Sequence, residues 1–137
     1  MATTTATLTL TSDINTDALA LTTTHTLNKA GTTIGLEQTT GLAKKIYAAA
    51  QSNTTLINAG DYADNTASRV YIKNTGSDST KYGLIGIGDI TGTPIYLGRL
   101  YGGDWMLFPW DANSGEDITL TMSDTTETVI EYMVFFE

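Results

Sequence analysis

Hydrophobic and polar residues alternate along most of the chain, a pattern typical of strands with one buried face. Residues 6–12, ATLTLTS, place Ala and Leu on one side and Thr on the other, and residues 18–27, ALALTTTHTL, repeat the alternation. A turn-like segment, DINTD, separates the two runs. The pattern predicts an N-terminal hairpin whose polar face includes Thr7 and Thr9.

Short apolar runs continue to the end of the chain, separated by clusters of Gly, Asp, Asn and Ser. From residue 69 onward these runs are RVYIKNT, YGLIGIGD, IYLGRLY, WMLFPW, ITLTM and TVIEYMVFFE. A spacing of roughly 8–12 residues is typical of a β-sandwich or barrel. The last run is apolar on both faces, which predicts a central or covered strand. We expect one all-β domain over residues 1–137, an antiparallel β-sandwich, in which residues 1–5 to 1–11 form an N-terminal arm.

Two segments between the hairpin and residue 69 are predicted with less detail. Residues 32–38, TTIGLEQ, predict a short strand with Ile34 and Leu36 on one face. Residues 41–50, GLAKKIYAAA, place apolar residues at helical spacing, yet their Lys-Lys-Ile-Tyr run also suits an edge strand. Helix and strand both stay open for this segment.

Composition supports the all-β prediction and narrows the classes of partner. The chain contains 27 threonines, about a fifth of its 137 residues, and only 16% charged residues. Threonine is β-branched, favours strands and hydrates a surface without adding charge. The net charge of −8 argues against nucleic-acid and anionic-membrane partners, because both select basic surfaces. Residues 100–137 hold eight acidic residues and no Lys or Arg.

Residues with catalytic or metal-binding chemistry are sparse. His25 is the only histidine, and the chain has no cysteine, so zinc binding and Ser-His-Asp catalysis are not expected. We predict no catalytic residue, metal or cofactor. Residues 83–89, GLIGIGD, fit a strand better than a phosphate loop, and their glycines leave room for a neighbour such as Trp105 or Trp110. Residues 111–117, DANSGED, predict a turn between strands.

The run GRLYGGDWMLFPW, residues 98–110, concentrates aromatic residues around a Gly-Gly-Asp turn. Alternation gives its second half two apolar faces, with Trp105, Leu107 and Pro109 on one and Met106, Phe108 and Trp110 on the other. A sandwich strand buries one face, so the second is either covered by another segment or contacts a partner. Aromatic side chains are favoured interface anchors. The predicted interaction residues are Tyr101, Trp105, Phe108 and Trp110, together with Thr7 and Thr9 of the arm.

The series RVYIKNTGS, YGLIGIGD and PIYLGRLYGGDWMLFPW, after a Thr-rich hairpin, resembles small β-sandwich virion proteins of tailed bacteriophages, in particular capsid decoration (cement) proteins. The resemblance spans residues 41–137 and rests on pattern and composition. It implies a jelly-roll-like sandwich without enzymatic activity that binds between subunits of the major capsid protein on the virion surface. It also implies a homo-oligomer, with a trimer favoured.

The resemblance also gives the two ends of the chain expected roles. The arm Ala2–Thr11 is expected to add a strand to the exposed edge of a neighbour, and the acidic C-terminal third is expected to face basic capsid patches or solvent. Because the N-terminus lacks the pattern of a signal peptide, synthesis in the host cytoplasm is expected. Two alternatives stay open: a carbohydrate-binding module whose aromatic residues stack on sugars, and a tail or fibre subunit.

Overall fold

Nearly all of the regular structure is β. The computed structural model describes residues 3–14, 18–122 and 127–137. Within these ranges one turn of 3-10 helix, Ala59–Asp61, accompanies the strands. The strands are β1 (Thr5–Ser12), β2 (Leu19–Thr26), β3 (Gln38–Thr39), β4 (Ala43–Tyr47), β5 (Gln51–Ile57), β6 (Ser68–Asn74), β7 (Tyr82–Ile87), β8 (Ile95–Tyr101), β9 (Trp105–Trp110), β10 (Ile118–Met122) and β11 (Thr128–Phe136).

Strands β4 to β11 form the body of the molecule as two antiparallel sheets. One sheet has the order β5-β10-β7-β8, and the other has the order β4-β11-β6-β9, with the short β3 pairing with the C-terminal end of β11. Counted from one to eight along the chain, the body strands are arranged 2-7-4-5 and 1-8-3-6. This alternation between two sheets is the connectivity of a jelly roll. The all-β sandwich predicted from the sequence is confirmed.

The core consists of the inward-facing residues of both sheets. Alternate residues of β6 are fully buried, as are Ile130 and Val134 of β11 and the facing apolar residues of β7 and β10. Because side chains alternate across a strand, one apolar layer from each sheet meets its counterpart about 10 Å away. The largest fully buried apolar side chains are Val70, Ile72, Ile85, Ile118, Leu120, Met122, Ile130 and Val134.

The structure decides the segment that the sequence left open. Residues 43–47 form the edge strand β4, paired with the first half of β11. Strand β11 therefore lies between β4 and β6, which confirms the prediction that the last strand is central. Ile46 points outward from β4 and is 62% exposed, whereas Tyr47 points into the core.

The strand predicted over residues 32–38 is wrong. Asn28 and Gly35 form only an isolated bridge, and the chain between them is a turn closed by a hydrogen bond from the Lys29 amide to the Ile34 carbonyl, 2.8 Å. Leu36 is buried and its amide donates to the Leu27 carbonyl at 2.7 Å, whereas Ile34 is 41% exposed. Local turn formation therefore overrides the alternation.

The glycines of strand β7 do leave room for neighbours, but the neighbours are not tryptophans. A Cβ on Gly83 would come within 3 Å of Leu120 and Met122 in the core. A Cβ on Gly86 would meet Thr119, Pro94 and Tyr96 on the outer side. The space predicted for Trp105 or Trp110 is therefore taken by other residues, because both tryptophans lie on the opposite sheet.

The Gly-Gly-Asp turn between β8 and β9 is held by Asn74 at the end of β6. The buried Asn74 side chain donates to the Leu100 carbonyl at 3.0 Å, and its backbone carbonyl accepts from the Gly103 amide at 2.9 Å. Gly103 has a φ of +92°, which glycine adopts without strain. A Cβ on Gly102 would overlap the backbone of Asp78, so this glycine is required by close packing.

Replacing Gly102 with Ala is expected to destabilise the fold, because the new methyl group meets backbone atoms that cannot rotate away. We expect Gly102→Ala to lower the free energy of unfolding by about 1–3 kcal/mol in chemical denaturation. Gly98→Ala is the matched control, because a Cβ there meets nothing within 4 Å. Equal stability of the two variants would contradict the packing argument.

Tyr47 is expected to make the fold sensitive to alkali. Its side chain is 5% exposed, and burial raises the pKa of its hydroxyl from 10.0 to about 12. The neutral form is favoured in the fold, so this stabilisation is complete below pH 10 and is lost as the pH rises to 12. Tyr47→Phe should reduce the loss of unfolding free energy over that interval by about 2 kcal/mol. Identical pH profiles for the two proteins would contradict this assignment.

Candidate interaction surfaces

The N-terminal hairpin lies outside the two-sheet body. Strands β1 and β2 pair with each other in an uninterrupted register from Thr5↔Thr26 to Ser12↔Leu19, as the sequence predicted. Within the described ranges neither strand pairs with any other. The predicted arm is therefore the first strand of a hairpin.

The two faces of the hairpin differ sharply in chemistry. Directly paired residues of an antiparallel register lie on the same face. One face, which we call the apolar face, carries Ala6, Leu8, Leu10, Leu19, Leu21 and His25 together with Ser12 and Thr23, and the threonine face carries Thr5, Thr7, Thr9, Thr11, Ala20, Thr22, Thr24 and Thr26. The four leucines are 41–50% exposed, so much of their apolar surface is in contact with water. On the threonine face, the Thr7 and Thr24 hydroxyls form a hydrogen bond across the strands at 3.0 Å.

The segment that follows the hairpin is fixed to the body. At the base of the hairpin, the Leu27 amide donates to the Thr4 carbonyl at 2.9 Å, which continues the β1–β2 pairing, and Leu27 is buried. Farther along, the Glu137 carboxylate accepts from the amides of Ala30 and Ala67 at 2.8 and 3.0 Å. These hydrogen bonds lower the pKa of Glu137, the Ala30 bond most. The hairpin therefore projects from a segment that Glu137 holds against the body.

The four predicted aromatic anchor residues do not share one surface. Trp110 is 4% exposed, and its indole nitrogen donates to the Glu116 carbonyl at 2.9 Å. Phe108 packs against the core from the same side of β9. Tyr101 lies on the other sheet, with its ring 5.3 Å from that of Tyr82. Trp105 alone of the two tryptophans is exposed, because alternation along β9 points it away from Trp110. We therefore keep Trp105 as the candidate interaction residue on this strand.

Trp105 and Leu107 form a cleft together with the base of the hairpin. Trp105 is 54% exposed and Leu107 is 39% exposed on the outer side of β9. Across from them lie Ala6, Leu8 and His25 of the apolar face, and the cleft between these groups has a volume of about 230 Å³. The cleft connects the apolar face of the hairpin to the body.

The outward side of the sheet β4-β11-β6-β9 carries apolar residues on both sides of a charged row formed by Lys44, Glu131 and Lys73. Sequence reasoning did not assign it as a surface, although the two apolar parities of the last strand were the signal for it. Within that charged row, the Lys44 ammonium and the Glu131 carboxylate form a salt bridge at 2.9 Å. We call the following residues the outer face: Leu42, Ile46, Tyr71, Val129 and Met133.

A second exposed cluster lies on the opposite sheet. The Arg99 guanidinium is 4.5 Å from the centre of the Tyr82 ring, a cation–π distance. Ile95 is 76% exposed at the start of the same edge strand, β8. This edge therefore offers a comparison surface for experiments on the outer face.

The acidic loop 111–117 forms the predicted turn between β9 and β10. The Asp117 carboxylate accepts from the Ala59 amide at 2.8 Å and from the Thr55 hydroxyl at 3.3 Å. Both of its oxygens therefore hold the loop against β5 and the residues that follow it. Among the residues that the structure describes, no group of three or more His, Asp or Glu side chains is placed to hold a metal ion. In the same ranges no helix has the length and hydropathy needed to cross a bilayer.

Comparison with known proteins adds no relative. No protein-family model matches the chain, and no curated protein matches its sequence. The resemblance to capsid decoration proteins therefore stays a prediction from the sequence pattern.

Truncation of the two tryptophans is expected to change the free energy of unfolding by very different amounts. Trp110→Ala removes a buried ring and leaves the Glu116 carbonyl without its donor, so we expect a loss of about 3–5 kcal/mol in unfolding free energy. Trp105→Ala should leave the unfolding of the body within about 0.5 kcal/mol of the parent. Chemical denaturation measures both changes, and a large loss for Trp105→Ala would show that this ring supports the fold.

Proposed function

We propose that this protein is a non-enzymatic decoration protein of a phage capsid, which binds between major capsid subunits and stabilises the shell. The observation that carries the proposal is the outer face, where Leu42 and Ile46 are 53% and 62% exposed beside half-buried Tyr71 and Met133. Exposed apolar side chains that cluster on one sheet face and are bordered by polar residues are typical of protein–protein interaction sites. The outer face is the attachment surface in this proposal.

The mechanism is burial of apolar surface that the shell must expose again before its subunits separate. Each Å² contributes about 25 cal/mol before the ordering costs of association are subtracted. A modest footprint is sufficient, because the same contact is repeated by every copy around the shell. No catalytic group is required for this function.

The charge distribution supports a basic partner surface. Residues 100–137 contain no Lys or Arg, and within this segment Asp111 and Glu116 are exposed at the turn between β9 and β10. Such carboxylates favour approach to basic patches and make association slower at high salt. The jelly-roll fold is compatible with the proposal, since capsid proteins use it, but lectin domains use it as well.

The copy number of the protein in purified virions tests the proposal directly. We expect quantitative mass spectrometry to give one copy per major capsid subunit or a small integer fraction of that ratio. A ratio far below this would place the protein in the tail or fibres, and absence from virions would refute the proposal.

A substitution in the outer face tests the attachment surface. Ile46→Thr keeps a β-branched side chain in β4 but removes apolar area, so occupancy on capsids should fall several-fold. Ile95→Thr is the matched control, because Ile95 is 76% exposed on the opposite sheet. Occupancy that falls equally for both variants, or for neither, would contradict attachment through the outer face.

A further inference from the structure

The segment after the hairpin, residues 28–37, is joined to the body by one carboxylate, and we call it the turn segment. Oε1 of Glu137 accepts from the Ala30 amide at 2.8 Å and from the Ala67 amide at 3.0 Å. A single oxygen therefore binds the turn segment and the residue that directly precedes β6. Among the described residues, no other hydrogen bond or ion pair joins the turn segment to the body.

The position of the hairpin depends on the turn segment. The Leu27 amide bonds to the Thr4 carbonyl, and the Leu36 amide bonds to the Leu27 carbonyl at 2.7 Å. These bonds attach the turn segment directly to the paired ends of β1 and β2. Neither strand of the hairpin pairs with a strand of the body within the described ranges, so a displacement of the turn segment is passed on to the hairpin.

Two clefts separate these parts of the chain from the edge strand β9. Trp105 and Leu107 line the cleft of about 230 Å³ at the base of the hairpin. Pro109 and Asp111 line a polar cleft of about 470 Å³ together with Ala30 of the turn segment. Movement of the turn segment away from β9 would widen both clefts.

We infer that Glu137 is an acid-sensitive latch: its ionised carboxylate holds the hairpin beside β9, and protonation releases the hairpin and opens the cleft at Trp105. Glu137 is a positioning residue in this device, because it contacts the turn segment and acts on the cleft through it. The inference concerns the chain by itself and does not depend on the proposed function.

Protonation weakens the latch because an ionised acceptor forms the stronger hydrogen bonds. Bonds to a carboxylate are roughly twice as strong as bonds between neutral groups. The bond from Ala30, followed by the bond from Ala67, lowers the pKa of Glu137 from its ordinary value of 4.5. The latched state is therefore fully stabilised above pH 4.5, and this stabilisation is lost as the pH falls through the lowered pKa.

Other charged and titratable groups lie on the elements around the latch. They are Lys29, Glu37, Tyr62, Arg69 and Asp111. Lys29 also lowers the pKa of Glu137, but its salt bridge at 3.3 Å is with Glu37, inside the turn segment. Glu137 is the carboxylate that binds both the turn segment and the body, so we assign the acid response to it.

Acrylamide quenching of tryptophan fluorescence measures the opening, because Trp110 is buried and Trp105 is the accessible ring. From pH 7 to about pH 3.5 the quenching constant should rise about 1.5- to 2-fold, since the exposed fraction of Trp105 can increase from 54% to at most full exposure. The indole N–H resonance of Trp110, which donates to the Glu116 carbonyl, should persist and shows that the body stays folded. A constant value of quenching in the folded protein would overturn the inference.

Substitution of Glu137 should reproduce the released state at pH 7. Glu137→Gln removes the charge and Glu137→Ala removes the acceptor, so both variants should show the higher quenching constant at pH 7 and a flat profile toward acid. In Glu137→Ala the amides of Ala30 and Ala67 should exchange with deuterium at least about tenfold faster than in the parent. Parent-like quenching in either variant at pH 7 would show that the hairpin is held without this charge, and the latch would be refuted.

Two variants serve as controls for the pH profile. Glu37→Gln is the matched control, because Glu37 is a carboxylate whose partner Lys29 lies in the same turn segment. His25→Gln removes the titratable residue that lines the cleft beside Trp105. Both variants should keep the pH profile of the parent. A flat profile in either one would assign the acid response to a different group and contradict the role of Glu137.

Discussion

Contact between the inward faces of the two sheets is the interaction on which the rest of the structure depends. Val70, Ile72 and Val134 of one sheet face Ile85 and Leu120 of the other, and all are inaccessible to solvent. Because a strand places alternate residues on opposite sides, each residue buried in this layer fixes the direction of its neighbours. Packing at the centre therefore determines which residues the molecule presents outside.

That constraint explains why some aromatic residues of β9 are buried and Trp105 is exposed. Trp110 and Phe108 fill the core, and Trp105, an odd number of residues away, must point outward. Within the described ranges the body has no third sheet on this side, and the base of the hairpin lies across a cleft from Trp105. Exposed apolar residues on the outward side are thus a consequence of two apolar parities in a two-sheet fold.

Threonine gives the hairpin an unusual combination of properties. The hydroxyls of Thr7 and Thr24 join the strands, while the β-branched side chains favour extended backbone. This surface is polar without being charged, because the hydroxyls hydrate it and neither strand carries Asp, Glu, Lys or Arg. The same lack of charge leaves both edges of the hairpin unprotected.

The sequence by itself determined the all-β class, the N-terminal hairpin, most strands and the opposite directions of Trp105 and Trp110, because these follow from alternation at a period of two. It did not determine the conformation of residues 41–50, where helical and extended spacing both fit, or the turn that replaced the strand expected over 32–38. Only the tertiary structure decided that β4 is an edge strand and that the predicted aromatic anchor is divided between two sheets. The physical reason is that strand pairing and the filling of space beside Gly86 depend on residues distant in sequence, whose positions no local pattern encodes.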